Sequence, residues 1–318
     1  MFMKMRIFIP EKWVDKQIVM YRYVQLFQLC AAKEQAVIEI SDTIDPNIID
    51  EKIVLVFKAP QSNACKLLAG AAELPPEKTL IVYVADCHDH HQNNTQPVAE
   101  TSDYGKAMRA MLDRANVVLS PYPHSFKQLW PQYIDKLVPF YHFVVEGHLP
   151  EYDEDVFGDR ERKVLLAGRV SYTYPLRMWL FKNRKRESIS YLHHPGYNYV
   201  ATNAIIDDRF MAHISKHMGA FATSSHYKYL SAKYLEIPAT GTCMFAEQIP
   251  ELNVIGMVPM IHYIPITKDN VFDVLEWALN DTIFMQKIGH RGRQFVLENF
   301  TMQARYNQLM TIVKCAIP

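Results

Sequence analysis

The chain has 318 residues, 49% of them hydrophobic, and its 34 basic and 34 acidic side chains cancel to a formal charge of zero. That length exceeds one ordinary domain and suits two of about 150 residues. The even balance gives no support to wholesale nucleic-acid binding, so no nucleic-acid partner is expected. The run Lys182 to Arg186 stays open as a local basic patch or a solvated helix end. Five cysteines, at positions 30, 65, 87, 243 and 315, lack CxxC spacing, which implies buried thiols in a reducing, cytoplasmic setting. The first ten residues are too short for a secretory leader and run straight into a strand pattern, and no apolar run reaches the ~18 residues of a membrane span.

Taken in chain order, short apolar runs at residues 5–9, 37–40, 53–57, 80–84, 117–120 and 140–145 read as strands. Helical spacing fills 17–33, 102–114 and 125–137, the second opening on Ser102 as a cap. A polar passage at 146–162 reads as a linker, and the alternation then restarts. Strands are expected at 164–167, 188–192, 220–223, 242–246 and 260–264. Helices are expected at 175–183, 203–218, 232–239 and from an Asp269 cap through 279, and the tail 282–315 reads as helical with breaks near Gly289 and Asn299. Strands separated by helices form βαβ units and hence parallel sheets. The expected division is 1–150, 151–300 and a closing helix at 301–318 that packs back on the first domain. Two such sheets would face each other across a cleft at their carboxyl ends, where open sheets bind ligands.

Two segments of the second half suggest an anion pocket. Ser231 can cap the helix at 232–239, leaving the amides of Ala232 and Lys233 and the helix dipole for a diphosphate, with Gly241 as the stop. Glu236 lies one turn in, as either a ribose-binding carboxylate or an ordinary surface residue. Upstream, the strand at 164–167 runs into Gly168, Arg169 and then Pro175-Leu-Arg177, putting two guanidiniums near phosphate oxygens. Neither G-x-G-x-x-G nor G-x-x-x-x-G-K-[ST] occurs, which weakens dehydrogenase and nucleotide-hydrolase readings.

These residues resemble a known family. Lys233, Glu236, Pro238, Ala239 and Gly241 form a K-x-x-E-x-P-A-x-G segment, preceded by Gly168, Tyr174-Pro-Leu-Arg177 and His194-Pro-Gly196. The tail from Ile288 to Val296 and from Phe300 to Arg305 continues the likeness over roughly 146–310. The chain is similar to GT-B glycosyltransferases, nearest a group-1-like, spore-protein-like glycosyltransferase domain. The resemblance implies two Rossmann-like domains, the first for the acceptor and the second for a nucleoside-diphosphate sugar. It implies that Glu236 holds the ribose, that Arg169 and Arg177 meet the diphosphate, and that the loop 221–226, with Ser224 and His226, surrounds the base. One departure stands out: the related retaining family has Glu-x7-Glu, and its first position here is Lys228, so retention of stereochemistry does not follow.

The other dense polar stretch is Asp86-Cys-His-Asp-His-His91, after the strand at 80–84. Three readings stand: a metal site whose spacing matches no standard zinc pattern, an acceptor-side base drawn from Asp86, His88 and Asp89, or a polar loop without chemistry. The resemblance favours the base and no bound metal. His193 and His194 border the donor cleft in this reading, while His124, His142, His148, His213 and His217 read as structural or surface residues. The expected activity is sugar transfer from a GDP- or UDP-linked donor to a hydroxyl of a glycan or small-molecule acceptor, with no resident cofactor. A nucleotide-sugar epimerase or phosphorylase, or a non-catalytic binding module, is the alternative.

Overall fold

The structure, a computed structural model, describes residues 4–14, 21–34, 36–57, 64–85, 87, 102–193 and 205–316. The chain divides into two compact units, Met1–Tyr141 with Arg305–Pro318, and His142–Ala304. Each is built on one parallel sheet.

In the first unit the strands are β1 (Met5–Ile9), β2 (Val37–Ile40), β3 (Ile53–Phe57), β4 (Thr79–Tyr83), β5 (Val117–Ser120) and β6 (Leu137–Pro139), in the order β2-β1-β3-β4-β5-β6. Its helices are α1 (Tyr21–Glu34), α2 (Ala64–Ala72), α3 (Asp103–Arg114) and α4 (Pro123–Leu129). Every residue of β3 and β4 is buried, as expected for parallel strands covered on both faces. Phe57 and Tyr83 stack at 4.2 Å, and the Tyr83 hydroxyl donates to that of Tyr23 at 2.6 Å. Ser102 caps α3 by accepting from the Gly105 amide at 2.9 Å, as its position predicts.

The second unit repeats the winding. Its strands are β7 (Glu161–Ala167), β8 (Ile189–Leu192), β9 (His217–Ala222), β10 (Cys243–Glu247) and β11 (Ile264–Ile266), in the order β11-β10-β9-β7-β8. The helices are α5 (Pro175–Lys182), α6 (Asp207–Ile214), α7 (Lys233–Ala239), α8 (Pro250–Val254), α9 (Val271–Asn280) and α10 (Thr282–Asn299). A last helix, α11 (Met302–Ala316), joins the first unit from Arg305 onward, where the Tyr306 hydroxyl donates to Glu34 at 2.6 Å. In both sheets the strand order reverses at the first strand, β1 or β7.

Several expectations fail for identifiable reasons. The aromatic run at 140–145 is not a strand: the edge strand ends at Pro139, which cannot donate to a ladder. Phe140 and Phe143 instead bury their rings from irregular backbone. The strand placed at 260–264 begins only at Ile264, and α6 ends at Ile214 so that β9 can start at His217. Helix α2 has one charged residue, Lys66, and so lacks the polar face that helical spacing needs to show in the sequence. Asp269 does not cap α9; the N-cap is Asn270, and its side chain accepts from the Thr267 amide at 2.7 Å. Helix α10 runs unbroken through Gly289, where the glycine serves close packing: a side chain there would overlap the Gly241 carbonyl against which the helix packs. The break near Asn299 does occur, between α10 and α11.

Candidate functional site

The second sheet reverses between β8 and β9 around β7, and ligands of open sheets bind at the carboxyl ends of such strands. At that point β7 ends at Ala167 and β9 at Ala222, so Gly168–Tyr174 and Thr223–Ala232 form the rim. The Thr173 carbonyl accepts from the His226 amide at 2.9 Å, tying the two loops together. Gly168 has φ +109, a conformation that penalises any side chain. A Cβ at this position would overlap the Lys233 ammonium and come within 2.9 Å of Arg177 Nη1. Two cationic groups therefore converge on the space one glycine leaves open.

Arg177, only 4% exposed, is first a builder of this rim. Its Nε donates to Thr223 Oγ1 at 2.9 Å, its Nη2 to the Thr223 carbonyl at 3.0 Å and its Nη1 to the Arg169 carbonyl at 3.0 Å. The guanidinium also stacks 4.0 Å from the centre of the Tyr174 ring. It thus clamps the exits of β7 and β9, offering its positive charge more than its fork. Lys233 reaches across from α7 to donate to the Ala167 carbonyl. Burial pushes its ammonium well below the ordinary lysine range, and the Arg177 charge pushes it further, while Glu236 offsets part of the drop. A lysine held this way attracts an anion strongly, since the anion supplies the countercharge that burial withholds.

Two buried hydroxyls belong to the same rim loop between β9 and α7. Ser225 is 5% exposed, and neither its Oγ nor the buried Oγ of Ser231 has a hydrogen-bond partner among the described residues. Unspent buried hydroxyls cost free energy unless something satisfies them. Ser231 therefore does not cap the helix through its side chain, contrary to expectation. Ala232 already has helical backbone, and the first turn closes through the Ser231 and Ala232 carbonyls, which accept from Tyr234 at 3.0 Å and Leu235 at 2.9 Å. Gly241 does provide the stop, at φ +71, with its amide donating to the Pro238 carbonyl at 2.8 Å. Glu236 is no surface residue: it is 6% exposed, on the turn that carries Lys233.

Of the other residues singled out, Arg169 is exposed at the end of β7, with its carbonyl engaged by Arg177. Ser224 is buried beside the cluster, donating through Oγ to the Tyr229 carbonyl at 3.2 Å, and His226 is exposed on the rim. His194, Asp86, His88 and Asp89 lie outside the described residues. Among the described residues no group of three or more His, Cys, Asp and Glu side chains is placed to hold a metal ion. Sequence reasoning took in Thr223 and Ser225 only as part of the loop 221–226 and missed Glu247 at the exit of β10; the rule that flagged Arg169 after β7 applies equally to it. A cavity of about 570 Å³ in the same unit, lined by Glu146, Leu149, Tyr152, Arg293 and Thr301, lies elsewhere. Tyr152 packs on Gly241, just before β10, so this cavity sits toward the amino ends of the strands, with Glu146 accepting from the Met302 amide and Arg293 donating to the Ala239 carbonyl.

Comparison with known proteins bears on the fold. The sequence profile of glycosyl transferase family 90 matches residues 211–314, the stretch that holds β9, α7 and β10. Sucrose-phosphate synthase from Thermosynechococcus elongatus has a similar structure, with a TM-score of 0.71 at 11% identity over 98% of each chain. The fold is GT-B. HepE of Anabaena, solved with UDP and glucose, shares it at a TM-score of 0.65 and 9% identity, covering 98% of this chain and 100% of that one. An alpha-glucosyltransferase in complex with UDP and a 13-mer DNA does so at 0.64 and 11%, covering 98% and 99%. No curated protein matches the chain in sequence beyond chance.

The last of these structures corrects one expectation. Even charge predicts no nucleic-acid partner, yet a protein of this fold is seen with DNA. Net charge sums over the whole surface and does not fix what a single face can bind, so that exclusion falls. No helix among the described residues is long and apolar enough to cross a membrane.

Proposed function

We propose that the chain is a glycosyltransferase that moves a sugar from a nucleoside diphosphate to an acceptor hydroxyl. The observation that carries this reading is the convergence of Lys233 and Arg177 on Gly168, with the unspent hydroxyls of Ser225 and Ser231 in the rim loop, at the strand reversal of a GT-B fold. A diphosphate supplies what that cluster lacks: negative charge for the two cations and acceptor oxygens for the two hydroxyls. As the bond between sugar and diphosphate breaks, charge grows on the leaving oxygen, and cations already in place stabilise it without reorganisation. The reading assigns that stabilisation to Lys233 and Arg177 and requires no resident metal, so transfer should continue in the presence of a chelator.

In this assignment the amides of Ala232 and Lys233 lie with the diphosphate, Arg169 at its outer edge, Glu236 on the ribose hydroxyls, and Ser224, His226 and His194 around the donor. The acceptor-side base is drawn from Asp86, His88 and Asp89 by sequence position, with 1–150 as the acceptor domain and 151–300 as the donor domain. Uridine is the favoured base, because HepE and the alpha-glucosyltransferase were solved with UDP. All five cysteines are free thiols, which supports a reducing, cytoplasmic setting.

The test is a melting-shift and calorimetric comparison of UDP, GDP and dTDP with their sugar conjugates, followed by transfer assays on oligosaccharide, small-molecule and DNA acceptors. Stabilisation by one nucleoside diphosphate, and product formed only when acceptor is present, is the expected result. Absence of any shift with all three diphosphates overturns the reading.

A further inference from the structure

Glu247 closes β10, the strand next to β9, and its carboxylate faces the same rim as the cations. One oxygen accepts from the Ser224 amide at 3.0 Å, and the other pairs with Lys228 Nζ at 2.6 Å. Thr223, the preceding residue, is the one Arg177 holds. The exit of β9 is therefore gripped by a cation from α5 and by an anion from β10, at successive residues. A surface ion pair alone would be unremarkable in this position, as exposed pairs contribute little. Three features set this one apart.

The pair is asymmetric: the Glu247 side chain is 17% exposed and Lys228 49%, so the acid is fixed and the lysine is the mobile partner. Lys228 meets it from left-handed backbone at φ +55, one of three non-glycine residues with positive φ among the described residues. Such strain persists where surrounding structure enforces it, and it concentrates at functional sites. An ionised carboxylate offers about four lone-pair positions, and the two bonds above leave room for further donors.

We infer that Glu247 is the residue that binds the sugar of the donor, accepting hydrogen bonds from its hydroxyls, with Lys228 as a counter-ion that gives way to them. This rests on the donor-site reading above and extends it from the diphosphate to the group transferred. Hydroxyl-to-carboxylate bonds are short and strong, and a carboxylate anchored to backbone can select the orientation of neighbouring hydroxyls. Charge placement follows the same logic: cations lie on one side of the β9 exit for the phosphates, and an acid lies on the other for the neutral, hydroxyl-rich sugar.

The experiment compares Glu247→Gln with wild type, using free UDP or GDP and whichever glucose, galactose, mannose or N-acetylglucosamine conjugate stabilises wild type most. Glutamine keeps an oxygen for the Ser224 amide, so melting should confirm a retained fold; Glu247→Asp, which keeps the charge but shortens its reach, is the second variant. Expected is an affinity for the free diphosphate within about 2-fold of wild type. The conjugate should lose transfer efficiency on the order of 10- to 100-fold. Lys228→Met should bind the conjugate at least as well as wild type. Wild-type transfer with unchanged KM in both Glu247 variants overturns the inference, as does an equal loss for free diphosphate and conjugate, which would make Glu247 a brace for Ser224 only. If wild type binds none of the diphosphates, the donor-site reading itself has failed.

Discussion

The two ends of β9 carry clusters of titratable groups that are built in opposite ways. At the amino end, His217 Nδ1 donates to the His213 carbonyl at 3.0 Å and its Nε2 faces Glu161 at 3.7 Å, so the buried ring has a bonded nitrogen and a carboxylate opposite the other. At the carboxyl end, two cations share one space and two buried hydroxyls remain unspent. The first cluster is what burial of polar groups looks like when only stability is served. The second costs stability and is intelligible as a place for an anion. Polarity and burial do not separate these clusters, whereas unspent bonding capacity does.

The largest effect that could break this contrast is expected from Arg177. Arg177→Ala removes the clamp on Thr223 and Arg169, costing about 2–3 kcal/mol and lowering Tm by roughly 5–10 °C, with donor binding lost. Lys233→Met should part stability from function. Its folded-state pKa is depressed, so at neutral pH the folded protein bears a desolvation cost that methionine removes. Thermal scans should show Tm unchanged or raised by ~2–4 °C, while calorimetry shows diphosphate affinity reduced by on the order of 100-fold. A clear fall in Tm would place Lys233 with the structural cluster instead.

The opposite pattern is predicted at the other end of the strand. His217→Gln should lower Tm by a few degrees, roughly 1 kcal/mol, and leave donor affinity within about 2-fold. Burial also holds His217 and His213 below the ordinary histidine range. The unfolded chain therefore binds more protons below about pH 6.5, and stability falls as pH drops through that region. Chemical denaturation at a series of pH values should show the fall, and His217→Gln should flatten it. The smallest effect belongs to Ser225→Ala, for which Tm should hold or rise slightly while donor affinity drops about 5-fold.

Much of the architecture is legible in the sequence because apolar runs such as Ile53–Phe57 are buried on both faces and broken by polar turns. The winding order is not, since it depends on which strands pair across distance: β7 pairs with β9 as well as with β8. In the site, Lys233, Glu236, Arg177 and Gly168 lie at recognisable offsets from a strand or helix end. Their roles were less visible. Ser231 looked like a cap because serine before a helix usually is one, but helical backbone at Ala232 moves the first turn onto carbonyls. Glu247 and Lys228 are 19 residues apart, and only the packing of β10 on β9 makes them a pair.

In the proposed function, the carboxyl-end cluster binds a nucleoside diphosphate through a desolvated lysine. Calorimetric titration of UDP into the full-length chain and into Lys233→Met, repeated as pH rises above neutrality, tests it most directly. Expected is tight binding to wild type that weakens with rising pH as Lys233 loses its proton, and little binding at any pH without the lysine. Equal binding by the two proteins with the same pH dependence would contradict it.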